Sequence, residues 1–219
     1  MTPLFIACDF DGTITRRDTL HLIVDTFGDR AVWDENEPAL RRGEISIEQA
    51  MAAEFATVRA TPAQVRELVL ADAGIREGFV AFVSWARGNG HRVVILSSGF
   101  RSVIDPVLES LGLTDLDVHS HEAHFSSEGT RLQWAARGER CALCDRHCKR
   151  HDLSRLRRPG ESVVYLGDGI SDRCVSGAAD LVFARDGLAE YLTEIGTPFV
   201  PFDDFTGARA HLTADQKAA

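Results

Sequence analysis

The sequence predicts an α/β protein: a doubly wound, Rossmann-like parallel sheet with an inserted all-helical segment. Short apolar runs typical of buried parallel strands occur at 4–8, 91–96 and 162–166. Helical periodicity separates the later runs, as in βαβ units. Between the first two runs, residues 18–73 show helical patterns and no strand pattern. A chain of 219 residues accommodates one such core domain with a modest insert.

The first strand and the insert have clear local signals. Leu4–Cys8 is an apolar run that ends at Asp9. Apolar residues then recur with helical spacing up to Gly28, a typical stop, at Leu20, Ile23, Val24 and Phe27. Ser46 is suited to cap a second helix, and Thr61–Gln64 is a capping box with proline at the first helical position. We therefore expect three or four helices in the insert.

Helices and strands alternate after Gly78. We expect the following elements in order: a helix from Phe79, a strand at 91–96 ending at 97–99, a helix at 101–111 kinked or shortened by Pro106, short strands at 117–119 and 123–125, strands at 162–166 and 181–183, a helix at 188–194 and a last strand near 199–200. The predicted organisation is an α/β core (1–15 and 76–212), a helical cap domain (16–75) and a flexible C-terminal tail (213–219).

Composition and charge exclude several function classes. The net charge is −9, which disfavours general binding to nucleic acid or to anionic membranes. No apolar stretch approaches the ~20 residues of a membrane helix. Asp9 and Asp11 interrupt the N-terminus before a secretory signal could form. We expect a cytoplasmic protein with no nucleic-acid or membrane partner, and the sequence leaves its oligomeric state open.

Acidic residues follow the predicted strands. Asp9 and Asp11 come after the first strand, and Asp168 and Asp172 after the strand at 162–166. Ligands in doubly wound sheets collect at the carboxyl ends of the strands, so these four carboxylates should converge. Their mutual repulsion calls for a cation, and oxygen ligands favour Mg²⁺. We therefore predict a magnesium site formed by Asp9, Asp11, Asp168 and Asp172.

The segment around Asp9 suits covalent phosphoryl transfer. Asp9 can attack phosphorus and form an aspartyl-phosphate. Asp11 can protonate the leaving oxygen and then accept a proton from the hydrolytic water. Gly12 permits a tight turn whose backbone amides can bind phosphoryl oxygens.

Other residues are suited to contact the phosphate group. The hydroxyl of Ser97 and the amides of Ser98 and Gly99 can donate hydrogen bonds to it. Lys149 can supply a positive charge, and Asp172 can orient that lysine or a metal-bound water. Lys149 lies in a basic run, so Arg146 and Arg150 remain alternatives.

Four motifs together resemble the haloacid dehalogenase superfamily of aspartyl-phosphate phosphatases. They are DFDGTIT at 9–15, VVILSSG at 93–99, Lys149, and GDGISD at 167–172. The helical insert resembles the C1-type cap of subfamily IB in this superfamily. The resemblance implies a phosphoric monoester hydrolase with the roles given above, in which Asp11 contributes to Mg²⁺ binding through its backbone carbonyl. It also implies a phosphatase and not a dehalogenase, because dehalogenases of this superfamily lack an acid at the position of Asp11.

The resemblance leaves the small phosphorylated metabolite open. ADAGIREGFVAFV at 71–83, Cys148-Lys149, LVFARDGL at 181–188 and PFDDF at 201–205 are similar to methionine-salvage phosphatases that act on 2-hydroxy-3-keto-5-methylthiopentenyl 1-phosphate. Phosphoserine phosphatases usually carry Glu where Asp18 stands, whereas the methionine-salvage and the phosphocholine or phosphoethanolamine phosphatases tend to have Asp. All three substrate classes stay open, and Asp18 is a candidate contact for the leaving group.

Three clustered cysteines suggest a second metal. Cys141, Cys144 and Cys148 have a spacing that could provide three ligands of a structural Zn²⁺. His151 is the predicted fourth ligand, with His147 or one of His119, His121 and His124 as alternatives. Free thiols are the competing interpretation, and Cys8 and Cys174 are expected to pack in the core.

A second function class remains open from the sequence alone. Residues 137–158 contain eight Lys and Arg and three Asp and Glu, which gives 8 − 3 = +5 in an otherwise acidic chain. The alternative is a zinc-containing binding module that uses this basic strip for nucleic acid or a protein partner.

Overall fold

The computed structural model describes residues 3–135, 141–144 and 148–218, with side chains up to 214. Within these residues, seven strands form one sheet in the order β4-β3-β2-β1-β5-β6-β7, and only the β3–β4 pair is antiparallel. The strands are β1 (Leu4–Cys8), β2 (Arg92–Phe100), β3 (Asp117–His124), β4 (Arg131–Gln133), β5 (Ser162–Gly167), β6 (Leu181–Ala184) and β7 (Val200–Pro201). This order confirms the predicted doubly wound α/β fold.

Helices connect the strands and form the insert. Four of them, all within the insert, are α1 (Thr19–Phe27), α2 (Arg30–Arg41), α3 (Ile47–Phe55) and α4 (Pro62–Asp72). The others are α5 (Phe79–Gly88), α6 (Arg101–Ser110), α7 (Lys149–Leu156), α8 (Arg173–Ser176), α9 (Asp186–Glu194) and α10 (Phe205–Ala218), with a 3₁₀ turn at Ile170–Asp172. Among the described residues, no helix combines the length and the apolarity needed to cross a membrane.

The sheet is buried on both faces because its side chains alternate between two apolar clusters. Ile6 and Cys8 of β1 belong to the larger cluster, which also contains α5 and α6 side chains. Phe5 and Ala7 point to the opposite face and pack with Leu153 of α7. The continuous apolar run of β1 thus reflects its position as a central parallel strand.

Local signals fix where the insert helices begin. The Asp18 carboxylate caps α1 by accepting hydrogen bonds from the backbone N–H groups of Leu20 and His21, at 2.9 and 3.0 Å. Ser46 and Thr61 form capping boxes that start α3 and α4, as predicted. The insert leaves and re-enters the core at one place, where Thr15 and Ile75 form an isolated antiparallel bridge.

The structure differs from the predicted elements at several points. A single strand, β3, replaces the two short strands expected at 117–119 and 123–125, because it pairs first with β2 and then with β4. β4 was not predicted, since a three-residue polar edge strand has no apolar alternation to detect. Pro106 lies inside α6, which ends at Ser110. The segment expected to be a flexible tail is helical up to Ala218, as part of α10, and the residue directly before this segment, Leu212, is buried.

Candidate active site

The centre of the sheet brings the predicted acids together. β1 and β5 are adjacent, and the strand order reverses between them. Asp9 follows β1 directly, and its backbone N–H donates to the carbonyl of Leu166 in β5 at 2.9 Å. Asp168 follows β5 directly. The two carboxylates therefore lie side by side at the switch point, where doubly wound sheets bind their ligands.

Lys149 lies between two buried carboxylates. Its ammonium nitrogen is 2.7 Å from Oδ1 of Asp9 and 2.7 Å from Oδ1 of Asp172. All three residues are buried. Burial lowers the pKa of Lys149, but the charges of Asp172 and Asp9 raise it more, so the ammonium stays charged.

Asp172 is held by protein donors on both oxygens. Besides Lys149, Oδ1 accepts a hydrogen bond from the Tyr165 hydroxyl at 2.6 Å. Oδ2 accepts from the backbone N–H groups of Asp168 and Gly169, both at 3.0 Å. Burial raises the pKa of Asp172, but Lys149 and these hydrogen bonds lower it below its usual value. The geometry thus favours the predicted orienting role of Asp172 over direct coordination of a metal.

Asp168 approaches the loop after β1 closely. Its Oδ1 accepts a hydrogen bond from the Thr13 hydroxyl at 2.7 Å. A Cβ atom on Gly12 would lie 2.3 Å from Oδ2 of Asp168, and Gly12 has a φ of +73°. Only glycine therefore lets the loop pass this carboxylate without strain.

The donor set beside Asp168 fits a hard divalent cation. Asp9, Asp168 and Asp172 each offer a carboxylate oxygen, and these three atoms lie within 4.8 Å of one another. Burial raises the pKa of Asp9 well above its usual value, and the charges of Asp172 and Asp168 raise it further. Burial and the charge of Asp172 likewise raise the pKa of Asp168 to about 7. A cation among these oxygens would relieve both effects, and oxygen ligands suit Mg²⁺.

Asp11 lies on the other side of Asp9, against the start of the insert. Its Oδ1 accepts hydrogen bonds from the hydroxyl and from the backbone N–H of Thr19. Burial and the charge of Asp18 raise the pKa of Asp11 to about 7, although the Thr19 hydrogen bonds oppose this. Thr19 was not predicted as a site residue, and only its position after Asp18 could have suggested it.

Ser97 lies next to Asp11 and is not among the residues that line the cavity. Its hydroxyl is fully buried, accepts the Gly99 N–H at 2.8 Å and lies 3.5 Å from Oδ2 of Asp11. Ser98 and Gly99 do line the cavity. β2 was expected to end here, but it continues to Phe100, and its pairing with β3 is irregular between Leu96 and Phe100.

A cavity of about 320 Å³ opens between these residues and the insert. On the core side it is lined by Asp9, Asp11, Ser98, Gly99, Asp168, Gly169, Ile170, Ser171, Arg173, Asp186 and Gly187. On the insert side it is lined by Asp18, Leu20, Trp33, Glu37, Leu40, Arg41, Ile47, Ala50, Met51 and Glu54. The insert thus supplies a largely apolar wall with a few acidic and basic groups, opposite the carboxylates.

Two arginines near the cavity, Arg76 and Arg173, were not predicted as site residues. Arg76 donates from Nε to the carbonyl of Thr13 at 2.8 Å and from Nη2 to that of Gly12 at 2.6 Å. It therefore holds the loop that carries the acids. Arg173 lines the cavity with its guanidinium 4.7 Å from the Tyr191 ring centroid, and among the described residues its buried Nε has no hydrogen-bond partner.

The sequence of this chain matches a known protein family. A sequence model of the haloacid dehalogenase-like hydrolase family matches residues 6–176, which include Asp9, Asp11, Asp168 and Asp172. The chain belongs to this family. It is accordingly an enzyme, a phosphoric monoester hydrolase of the haloacid dehalogenase type, and family membership agrees with the resemblance carried by the four motifs.

Curated relatives match the haloacid dehalogenase-type chain over almost its full length. A 2-hydroxy-3-keto-5-methylthiopentenyl-1-phosphate phosphatase from Geobacillus thermodenitrificans is 32% identical, covering 95% of this chain and 95% of its own. A protein of the same name from Bacillus velezensis is 31% identical, covering 93% of this chain and 87% of its own.

Solved structures share the fold of this haloacid dehalogenase-type enzyme. A phosphoserine phosphatase described as a phospho-aspartyl intermediate analogue superposes with a TM-score of 0.70 at 16% identity, covering 96% of this chain and 99% of that one. A probable phosphoserine phosphatase from Vibrio cholerae has a TM-score of 0.67 at 23% identity, covering 98% of this chain and 67% of that one.

The cysteine cluster forms with a different fourth member from the one predicted. The sulfur atoms of Cys141, Cys144, Cys148 and Cys174 all lie within 4.8 Å of one another. His151 is not in this group, and Cys174 was expected to pack in the core. The prediction of His151 is therefore corrected to Cys174, which the turn after Asp172 brings to the cluster from a distant part of the sequence.

The basic strip at 137–158 does not form one exposed surface among the described residues. Lys149 is buried, Arg150 donates to the carbonyl of Cys174 at 3.1 Å, and Arg157 pairs with Asp180 at 3.0 Å. Arg146 and His147, the alternatives for the active-site cation and for the zinc ligand, lie outside the described residues, as do 136–140 and 145.

Proposed function

We propose that this enzyme hydrolyses a small phosphorylated metabolite through an aspartyl-phosphate on Asp9, with Mg²⁺ as its cofactor. One observation carries the proposal: the Asp9 carboxylate lies between the Lys149 ammonium, at 2.7 Å, and the cavity that Asp11 and Asp168 also line. This arrangement places the nucleophilic carboxylate against a fixed positive charge, next to an acid and a second carboxylate.

The first step forms the intermediate. Oδ1 of Asp9 accepts a hydrogen bond from the Phe10 N–H and pairs with Lys149. Among the described residues, these are the two polar partners of the Asp9 side chain. Oδ2 then attacks phosphorus, and the bond from phosphorus to the ester oxygen breaks. Asp11, in its protonated form, gives its proton to the departing oxygen, so the alcohol leaves neutral.

The second step regenerates the enzyme. A water molecule attacks phosphorus, and Asp11, now a carboxylate, accepts the proton of that water. The bond from phosphorus to Oδ2 of Asp9 breaks, and inorganic phosphate leaves. Thr19 keeps Asp11 in one orientation through both steps with its two hydrogen bonds.

The remaining polar groups hold the phosphoryl group and the cofactor. Asp9, Asp168 and the backbone carbonyl of Asp11 would hold Mg²⁺. When bound, Mg²⁺ offsets the negative charge of the transferring phosphoryl group. Ser98 and Gly99 line the cavity wall, where the Ser98 N–H is the proposed backbone donor to the phosphoryl group, while the Gly99 N–H donates to the Ser97 hydroxyl next to Asp11. Asp172 positions Lys149.

Residues 16–75 are proposed to act as a cap domain over this core, with Asp18 near the leaving group. Two features support this division: both connections to the core pass through the Thr15–Ile75 bridge, and α2 and α3 line the cavity opposite the carboxylates. A cap that closes over the substrate would exclude bulk water and contact the leaving group.

The proposed substrate is 2-hydroxy-3-keto-5-methylthiopentenyl 1-phosphate. Relatives of that name match nearly the whole chain. The cap side of the cavity supports the assignment, because it offers an apolar wall for a methylthio tail, formed by Leu20, Trp33, Leu40, Ile47 and Met51. Phosphoserine, phosphocholine and phosphoethanolamine are the competing substrates, because the same wall also carries Asp18, Glu37, Arg41 and Glu54, which could pair with their charged groups.

The reaction is tested with Asp9→Asn and Asp11→Asn. We expect Asp9→Asn to abolish Mg²⁺-dependent phosphate release from p-nitrophenyl phosphate and to give no acid-stable phosphoenzyme label. Asp11→Asn should keep phosphoenzyme formation from this activated ester, whose leaving group needs little protonation, but slow turnover about 10²-fold or more. Turnover by Asp9→Asn at the wild-type rate would contradict the mechanism.

The substrate is tested by ranking kcat/KM over a panel. The methylthiopentenyl phosphate should exceed phosphoserine, phosphocholine and phosphoethanolamine by at least about tenfold. An analogue with a hydroxyl in place of the methylthio group should lose about tenfold, as expected for a buried apolar group. A panel led by phosphoserine or phosphocholine would reject this substrate and leave the phosphatase reaction intact.

A further inference from the structure

Four cysteine side chains meet on the side of the core near the starts of α7 and α8. Cys141 and Cys144 come from the short described segment at 141–144, Cys148 directly precedes α7, and Cys174 lies in α8. Their sulfur atoms lie within 4.8 Å of one another. Nothing in the phosphatase reaction uses these side chains.

The spacing of the sulfur atoms matches a metal site and not a disulfide. The Cys141 and Cys174 sulfur atoms are 3.7 Å apart, and all four cysteines are free. A disulfide bond is about 2.05 Å long. In a tetrahedral site with zinc–sulfur bonds of about 2.3 Å, adjacent sulfur atoms are about 3.8 Å apart.

Backbone N–H groups are aimed at the sulfur atoms of the cluster. The N–H groups of Leu143 and Cys144 donate hydrogen bonds to the Cys141 sulfur. The N–H of Arg150 donates to the Cys148 sulfur. Backbone donors aimed at sulfur are what a set of metal-bound thiolates requires.

We propose that Cys141, Cys144, Cys148 and Cys174 bind one structural Zn²⁺. Four sulfur ligands in a tetrahedron favour this ion over the hard cation expected among the carboxylates. Four protein ligands would fill the tetrahedral coordination of the ion and leave no position for a substrate or water. We therefore expect a structural and not a catalytic ion.

The site connects the two segments that build the Lys149–Asp172 pair. Cys148 is the residue before Lys149, and Cys174 is two residues after Asp172. Arg150 adds a hydrogen bond from α7 to the carbonyl of Cys174 at 3.1 Å. A metal across these segments fixes the start of α7 against the turn that holds Asp172, so it positions the ammonium beneath Asp9.

Metal content of the purified full-length protein tests the assignment. Expressed with zinc and purified under reducing conditions without chelator, the wild type should carry about one zinc per chain, since structural zinc sites bind the ion tightly enough to keep it through purification. Cys174→Ser should lose most of this zinc. His151→Ala is the matched control, because it removes the ligand predicted from sequence, and it should keep the zinc.

Cobalt provides a readout that does not depend on activity or on zinc supply. The metal-free chain should bind one Co²⁺ and show intense tetrahedral ligand-field bands with sulfur-to-cobalt charge transfer, and Cys174→Ser should shift or lose them. Wild-type protein without zinc that also fails to bind Co²⁺ would overturn the proposal. One equivalent of bound iron in place of zinc, or zinc lost in His151→Ala but kept in Cys174→Ser, would overturn it as well.

The positioning effect has its own measurement. With saturating Mg²⁺ present, zinc-depleted enzyme should show a kcat about tenfold lower with a smaller change in KM, and zinc should restore it, because a displaced Lys149 weakens the reaction more than binding. This readout rests on the proposed phosphatase function. An unchanged kcat alongside the expected metal content would reject only the positioning effect.

Discussion

The Lys149 ammonium lies 2.7 Å from Oδ1 of Asp9, and both groups are almost completely removed from solvent. Two residues 140 positions apart in the sequence thus form one buried ion pair. Asp172 completes it from the other side at 2.7 Å. Lys149 is the one cation in contact with both buried carboxylates among the described residues, so a change at this position affects both of them.

Replacing Lys149 with Met should disable the enzyme and weaken the fold. Two buried carboxylates would lose their positive partner. This should lower the free energy of unfolding by about 3–5 kcal/mol. We expect kcat to fall by about 10²–10³-fold or more, because a fixed charge next to the transferring group is lost. Chemical denaturation and steady-state kinetics measure the two effects.

Arg155→Met is the control for Lys149→Met. It removes a cation from the same helix, but that side chain is exposed and 3.8 Å from Asp152. Its stability change should stay within about 0.5 kcal/mol. Full activity of Lys149→Met, or an equal loss in Arg155→Met, would show that the buried pair has no special role.

Gly12→Ala should inactivate the enzyme through Asp168. The new Cβ would lie 2.3 Å from Oδ2 of Asp168, so the carboxylate must move. We expect kcat to fall by about 10²-fold, because moving a positioned catalytic group by about 1 Å can slow a reaction by that factor. The apparent affinity for Mg²⁺ should fall too, measured as the Mg²⁺ concentration that gives half-maximal rate.

Gly90→Ala separates this clash from backbone strain. Gly90 has a φ of +72°, close to the +73° of Gly12, but a Cβ there would meet nothing within 4 Å. Both variants should lose about 1 kcal/mol of stability from the positive φ, while only Gly12→Ala loses activity. Equal kinetics in the two variants would contradict the close approach to Asp168.

Arg76→Met should loosen the loop that carries the acids. The guanidinium holds the carbonyls of Gly12 and Thr13, at 2.6 and 2.8 Å. Removing it leaves these carbonyls without their charged donor. This should lower the free energy of unfolding by about 2–4 kcal/mol. We expect kcat to fall about tenfold or more. Arg87→Met, which breaks an exposed ion pair with Asp115, should change neither quantity appreciably.

Glu54→Gln should alter how stability depends on pH. Burial raises the pKa of Glu54 to about 7, although a hydrogen bond from Asn36 opposes this. The unfolded chain has a pKa of about 4.3 at this residue, so between the two values the folded state binds more protons. The contribution of Glu54 to stability is therefore greatest at low pH and is lost as pH rises towards about 7.

The Gln variant removes this loss. At pH 8 it should be more stable than the wild type by about 1–3 kcal/mol, since each pKa unit corresponds to about 1.4 kcal/mol. At pH 4.5 the two proteins should be equally stable. Denaturant midpoints at both pH values test this, with the exposed Glu67→Gln as control. A difference independent of pH would mean that Glu54 is not the titrating group.

Some features of the site follow from patterns within a few residues. Asp9, Asp11 and Asp168 are placed by the strands that precede them, and a central parallel strand is recognisable because it must be apolar on both faces. The caps at Ser46 and Thr61 are equally local, since each involves residues three apart. These are the parts of the fold that the prediction described correctly.

Other features join residues that no pattern connects. Arg76 reaches carbonyls more than 60 residues away in sequence, and Thr19 orients Asp11 across the start of the insert. The Ser97 hydroxyl lies 3.5 Å from Oδ2 of Asp11, from which it is separated by 86 positions, and the pairing of β2 with β3 is irregular at this point. Side-chain direction at such places depends on contacts with other strands.

The order of residues along the chain was enough to determine the doubly wound sheet, the helical insert and the set of carboxylates at the strand ends, because burial and helix capping act over short stretches. Only the tertiary structure decided that Lys149 is buried between Asp9 and Asp172 and that Cys174 replaces His151 in the sulfur cluster. Both features depend on the packing of α7 against α8. This packing joins segments that are distant in the sequence, so a local pattern of apolar residues does not predict it.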